Sequence, residues 1–236
     1  MAPHYGQLTT LDAAARLFPV RGRRDRLLVA MADVVAEEGF SAASVSKVVA
    51  DAGVSRNTFY EHFSNKEECF LAAYDATVEQ VMLRVRAARP LDAGWSACLE
   101  AGFGAFLRFA AAEPALAWLC VVEVLAAGPR ALARRDAAMS AFGAYLEQSR
   151  AADPRARVPR LMTEVLVGGV YELIYARVLH GRTADLPDLL PDIMYVWLAP
   201  FLGAAGAAGE AASGAPPRLR VAEPAIGTVN EDVDVF

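Results

Sequence analysis

The sequence is short of the residues on which most enzymes and most secreted proteins depend. Of 236 residues, three are cysteine and three histidine. Cys69, Cys98 and Cys120 are an odd number at unrelated spacings within apolar helical patterns, so they read as buried free thiols. No disulfide framework is implied, which fits a reducing, cytoplasmic setting. His4, His62 and His180 stand far apart, and none has the nucleophile and orienting group that a hydrolytic triad needs. No Cys/His spacing suits zinc, and no phosphate- or dinucleotide-binding glycine pattern occurs. The expectation is therefore no catalytic residue, no metal and no cofactor. Long apolar runs are missing as well. None reaches ~18 residues, which argues against a membrane span, and the start lacks a basic stretch followed by an apolar one, so no secretion signal is expected. Runs of β-branched residues are short while alanine is abundant, which favours helix over strand. Nor is there an excess of positive charge. The formal net charge is −5, which excludes a general nucleic-acid coat but leaves room for a local basic footprint.

What is present centres on Ser44 to Phe63. Val45, Val48, Val49 and Ala52 fall at i, i+3, i+4 and i+7 and make one apolar helical face. Ser44 is placed to N-cap this helix, and Gly53 to leave it in a left-handed turn. Ser55 can cap the next helix, which Phe59 and Phe63 anchor from behind. Arg56, Asn57, Thr58, Tyr60, Glu61 and His62 are left for its outer part. A short helix with an apolar back and a polar front, set across a glycine turn from a support helix, is a helix-turn-helix.

The first sure helix precedes it, Arg21 to Glu38, with Leu27, Leu28, Met31, Val34 and Val35 as its stripe and Gly39 as its stop. Arg21, Arg23, Arg24 and Arg26 crowd its start, where the helix dipole prefers anions, so a phosphate partner would offset the cost. After the helix-turn-helix, Ser64 and Glu67 match a capping box. They open a helix that runs to Arg89 before Pro90, roughly 35 Å long at the α-helical rise. Lys66 lies in its first turn, another cation at a helix start.

The segment from about Arg21 to Arg89 resembles the DNA-binding domain of the TetR (tetracycline-repressor) family of bacterial regulators. The resemblance is carried by Glu38-Gly39-Phe40, Ser44-Val45, Ala52-Gly53-Val54-Ser55, Thr58-Phe59-Tyr60, His62-Phe63 and Lys66-Glu67-Glu68 in joint spacing. It implies an all-α fold, with an N-terminal three-helix DNA-binding domain (21–66) and a helical ligand-binding and dimerisation domain (67–202). A flexible extension (1–20) would precede them and a disordered Ala/Gly/Pro-rich tail (203–236) would follow. It implies that Ser44, Tyr60 and Lys66 clamp the DNA backbone. Base-edge chemistry adds Arg56 for guanine, Asn57 for adenine and the Thr58 methyl for thymine, with Tyr60 and His62 reaching phosphates or edges. Arg23 and Arg24 complete the footprint. At Ser46 the chain departs from relatives that carry a base-reading arginine there.

In the second half, Trp95 to Ala110 marks one helix. A nearly all-apolar helix, Ala115 to Ala127, follows Pro114, and an amphipathic one spans Arg130 to about Ala151. Asp153 to Pro159 reads as a loop. Leu161–Leu179 and Leu186–Leu202 are more apolar than two surface helices of a monomer should be, and Gly168 and Gly169 sit mid-helix. The resemblance assigns this pair to a homodimer. Trp95, Phe103, Trp118, Phe142 and Tyr171 are candidates to line an effector pocket, with Glu123 and Glu164 as polar handles. Arg108 or Arg134 is an expected partner for Glu123. The expected function is a dimeric regulator, a repressor of palindromic operator DNA released by a small apolar or amphipathic effector. The competing reading is an all-α small-molecule binder or enzyme without DNA function.

Overall fold

The computed structural model describes residues 18–90, 94–150 and 160–211. Most of the expected extension, the loop at Asp153–Pro159 and the chain beyond 211 lie outside the described residues. Within them the chain forms α1 (Arg23–Glu38), α2 (Val45–Asp51), α3 (Arg56–His62), α4 (Lys66–Ala87), α5 (Trp95–Ala112), α6 (Pro114–Val121), α7 (Pro129–Arg150), α8 (Arg160–Leu179) and α9 (Leu190–Ala211). Two 3₁₀ turns, Glu123–Leu125 and Thr183–Leu189, join them, and no strand occurs among the described residues.

The head is α1 to α3 packed on the first half of α4. Ser44 caps α2 by accepting the Lys47 N–H, and Ser55 caps α3 by accepting the Thr58 N–H at 3.0 Å. Gly53 takes φ +61° between them, a left-handed turn that a side chain would strain. Asp25 in the first turn of α1 accepts the Arg21 N–H at 2.8 Å, which places an anion among the arginines at the positive end of the helix.

Four boundaries differ from expectation, each for a local reason. The cap of α4 is Asn65, not Ser64. Asn65 accepts the Glu68 N–H and the Glu68 carboxylate accepts the Ser64 N–H, both at 2.9 Å. That backbone N–H holds the Glu68 carboxyl below its ordinary range. Asparagine caps as well as serine, and the shift leaves Glu67 and Glu68 together in the first turn. The helix expected to Ala127 stops at Val121. Adjacent β-branched Val121 and Val122 disfavour its continuation, and the Glu123 carboxylate is engaged elsewhere. The final helix starts at Leu190 rather than Leu186, because Pro187 falls in the preceding 3₁₀ turn. It also runs past Leu202 to Ala211, across a kink at Gly203 with φ +73°. The segment 203–211, expected as the start of an aperiodic tail, is helical. Alanine is the best helix former, and Ala207 is fully buried.

Two apolar clusters hold the chain together. One starts in the head with Val48, Phe59 and Phe63 and continues without a break through Phe70 to Phe109, Leu116, Leu119 and Val124. The other fills the body around Phe103, Trp118, Val170, Ile193 and Trp197. The long α4 crosses the expected domain boundary at 66/67 and joins head to body. Its ion pairs with α7, Arg130–Glu67 and Arg134–Asp75, are half exposed and add little stability.

Candidate DNA-binding face and internal cavity

Phe59 is fully buried and Phe63 nearly so, with ring centroids 5.7 Å apart. They fix α3 against the head core and turn its other side outward. Arg56, Asn57, Tyr60, Glu61 and His62 are exposed, Tyr60 by 51% despite its ring. The Arg56 guanidinium donates to Ser46 Oγ at 3.3 Å and lies 3.5 Å from the Tyr60 hydroxyl. Ser46 on α2, short as it is, thus meets the outer face of α3 and orients its arginine. Arg23 and Arg24 are exposed, and Arg24 stacks over Phe63 at 5.6 Å, so the basic start of α1 borders the end of α3.

Two expected contacts are placed otherwise. Thr58 is buried, and its hydroxyl sits 3.0 Å from Ser55 Oγ. Its position beside buried Phe59 makes it part of the α3 cap. Lys66 Nζ donates to the carbonyls of Phe40, Ser41 and Ala43 at 2.9, 3.1 and 2.9 Å and lies over the Phe40 ring at 4.7 Å. Its three protons tie the α1–α2 connection to the start of α4, so the cation at that helix start is answered by carbonyls within the chain. Lys47, which was not singled out from the sequence, is exposed on α2 and pairs with Glu38.

The body holds a partly open cavity of about 140 Å³ between α4, α5, α6, α7 and α8. Of the seven candidates, Phe142 and Tyr171 line it. Phe103 lies behind, packed on Phe142 and Trp197 with both centroid distances 5.6 Å. Trp95 instead packs on Phe201 at 5.2 Å. Trp118 is buried in the body core, and Glu164 is exposed on α8. Glu123 is a strut rather than a pocket handle. Its carboxylate accepts the Phe40 N–H at 2.8 Å and the Trp118 indole N–H at 3.3 Å. The expected arginine partners lie elsewhere, with Arg134 on Asp75 and Arg108 exposed. Sequence reasoning missed Arg135 and Cys120, which do line the cavity. The signal for Arg135 was its place in α7 four residues before Met139 and seven before Phe142, on one helical face. Burial pushes the Cys120 thiol up to about 12 and raises the Tyr171 phenol. The Tyr171 hydroxyl donates to the Val121 carbonyl at 2.7 Å, tying α8 to the end of α6.

A capped, glycine-turned helix pair with an exposed polar face, mounted through a long helix on an all-helical body, defines a helix-turn-helix protein with an internal apolar cavity. Residues 27–73, the head and the first part of α4, match the family model for bacterial regulatory proteins of the tetR family. It is 34% identical over 87 residues to the HTH-type transcriptional activator FasR of Mycolicibacterium smegmatis, a match that covers 37% of this chain and 40% of FasR. It is 32% identical over 73 residues to the transposon Tn10 TetC protein of Escherichia coli, covering 31% of this chain and 36% of TetC. The chain thus spans two fifths or less of the curated relatives it matches. Among solved structures it resembles the fatty acid degradation regulator FadR of Bacillus halodurans, with a TM-score of 0.67 and 20% identity over 76% of this chain and 96% of that one. FadR of Bacillus subtilis, solved in complex with stearoyl-CoA, gives a TM-score of 0.66 at 20% identity, over 75% and 97% of the two chains. At that identity the likeness is one of fold.

Proposed function

We propose that this chain is a dimeric, non-enzymatic transcriptional regulator whose hold on operator DNA is set by an apolar or amphipathic ligand in the body cavity. The reading is carried by the exposed face of α3. Arg56, Asn57, Tyr60 and His62 stand outward on a helix whose back is locked by Phe59 and Phe63, which is what groove entry requires. Arg56 reads a guanine edge, Asn57 an adenine edge, and Ser44, Tyr60, Arg23 and Arg24 meet phosphates. Thr58 and Lys66 serve the head's own structure.

Dimerisation through α8 and α9 is supported by apolar side chains left in solvent. Leu161, Val165, Leu173 and Val196 are 66%, 60%, 41% and 45% exposed. Gly168 and Gly169 cost α8 about 1 kcal/mol each against alanine, yet a Cβ at either would meet nothing within 4 Å in the same protomer. Close approach of a partner helix accounts for both glycines. Two heads about one DNA turn apart (~34 Å) would then read a palindrome.

The path from ligand to head is short. Leu116, Ala117, Cys120 and Val121 of α6 wall the cavity, and Glu123, two residues on, holds the Phe40 N–H of the α1–α2 connection. A ligand that fits one position of α6 better than another biases the head through this strut. The FadR likeness, including a relative solved with stearoyl-CoA, favours a long-chain acyl compound, and repression relieved by that compound is the direction proposed.

The test is a gel-shift titration on DNA from upstream of the protein's own gene. Arg56→Ala should weaken specific binding by about 1–3 kcal/mol, roughly five- to 150-fold. Equal affinity of the variant and the parent would refute the assigned face.

A further inference from the structure

The cavity walls are hydrocarbon, from Val78 and Met82 on α4 through Phe109 and Met139 to Val170 and Ile174. A space so lined favours apolar matter over water. Among the described residues that line it, Arg135 is the one charged side chain. Its guanidinium carbon lies over the Tyr171 ring, 4.7 Å from the centroid. Nη1 donates to Asp136 Oδ1 at 3.0 Å, on a side chain 67% exposed, while Nε is buried and has no hydrogen-bond partner. A buried donor on a cation carries a desolvation cost unless an acceptor meets it.

The other polar groups at the wall are committed. The Thr77 hydroxyl donates to the Ala73 carbonyl at 2.7 Å, and the Tyr171 hydroxyl to Val121. Burial keeps the Cys120 thiol and the Tyr74 phenol protonated. The site therefore offers one cationic donor and no anion. Guanidinium suits a planar, two-oxygen acceptor. The exposed Asp136 meets the guanidinium on one side only; a neutral thioester or alcohol would bring no anion to the side where Nε is buried, and a phosphate dianion would ask for more donors than one.

We propose that the cavity receives an apolar chain ending in a carboxylate, with Arg135 as the group that meets the carboxylate. This rests on reading the cavity as the effector site and names its ligand as a free acid.

The test is calorimetric titration of the full chain with dodecanoate, dodecanol and dodecanoyl-CoA, each below its aggregation threshold. Dodecanoate should bind the parent at least ~10-fold more tightly than dodecanol. Arg135→Met should bring the acid-to-alcohol affinity ratio to about one, while Arg135→Lys keeps part of the preference. Should Arg135→Met fail to fold by circular dichroism, the acid-to-alcohol ratio on the parent and on Arg135→Lys decides. Equal binding of acid and alcohol by the parent overturns the carboxylate assignment and leaves the cavity as an effector site. So does tighter binding of dodecanoyl-CoA that Arg135→Met does not change. Binding of none of the three removes the effector reading itself, and this proposal with it.

Discussion

Removing the Glu123 carboxylate tests how firmly the body holds the head. Glu123→Ala deletes an acceptor that takes the Phe40 N–H at 2.8 Å and the Trp118 N–H at 3.3 Å. Hydrogen bonds to a charged acceptor contribute about 1.5–3 kcal/mol each, and a donor left dry costs a similar amount. The Phe40 amide is part-buried and its bond is short, so it takes a full share. The indole bond is longer and takes less. The sum is about 2–4 kcal/mol, a sizeable part of the ~5–15 kcal/mol by which a domain is stable. Glu123→Gln keeps one carbonyl oxygen but turns an amide toward a donor, so about half of that loss is expected. Urea unfolding gives the total, and amide hydrogen exchange at Phe40 locates it, since opening of the α1–α2 connection should become the dominant route. A midpoint change equivalent to under ~0.5 kcal/mol for Glu123→Ala, with Phe40 exchange as slow as in the parent, would show that the strut carries no load.

Other variants separate structure from recognition. Thr58→Val should lower stability by about 1 kcal/mol through the lost hydroxyl contact at the α3 cap. It should leave base preference unchanged in a gel-shift competition, and altered preference at one base pair would return Thr58 to the groove. Lys66→Met removes three donors to Phe40, Ser41 and Ala43 and should cost about 1.5–3 kcal/mol in thermal unfolding. Burial pushes the thiols of Cys69 and Cys120 up to about 12 from 9.0. At pH 8 their thiolate fraction falls about 10³-fold below that of the unfolded chain. Ellman's reagent should therefore label them slowly in the native protein and at once in guanidinium. Rapid native labelling at either position would contradict the packing around it.

The head was readable because its signals are local. Ser44, Ser55 and Gly53 act within a few residues of themselves, and the Phe59–Phe63 pair needs only helical spacing. Elsewhere the deciding partner was one that helical patterning does not reveal. Thr58 looks polar and outward, yet Ser55 three residues back holds its hydroxyl. Lys66 looks like a phosphate ligand until the carbonyls around Phe40, some 25 residues back, surround it. Glu123 was singled out as a carboxylate in need of a partner; the Trp118 indole is one, five residues back, but the shorter bond comes from a backbone amide 83 positions away. No pattern of side chains could have announced it. The cavity was legible only as apolar composition. Which aromatics wall it follows from how α4 to α8 converge, and Trp95, Trp118 and Phe103 were placed elsewhere by that convergence.

The unbroken seam of apolar contacts from Phe59 to Val124 bears on any attempt to use the head by itself. A fragment cut at the start of α4 would divide a cluster in which Leu27, Val35 and Phe63 of the head share one core with Phe70, Leu116 and Leu119, and would bare part of the α1 surface that packs on α4 and α6. A chimaera that lends this reading head to a foreign body must therefore carry α4 and a matching α6 surface along with it. The head is not a detachable module.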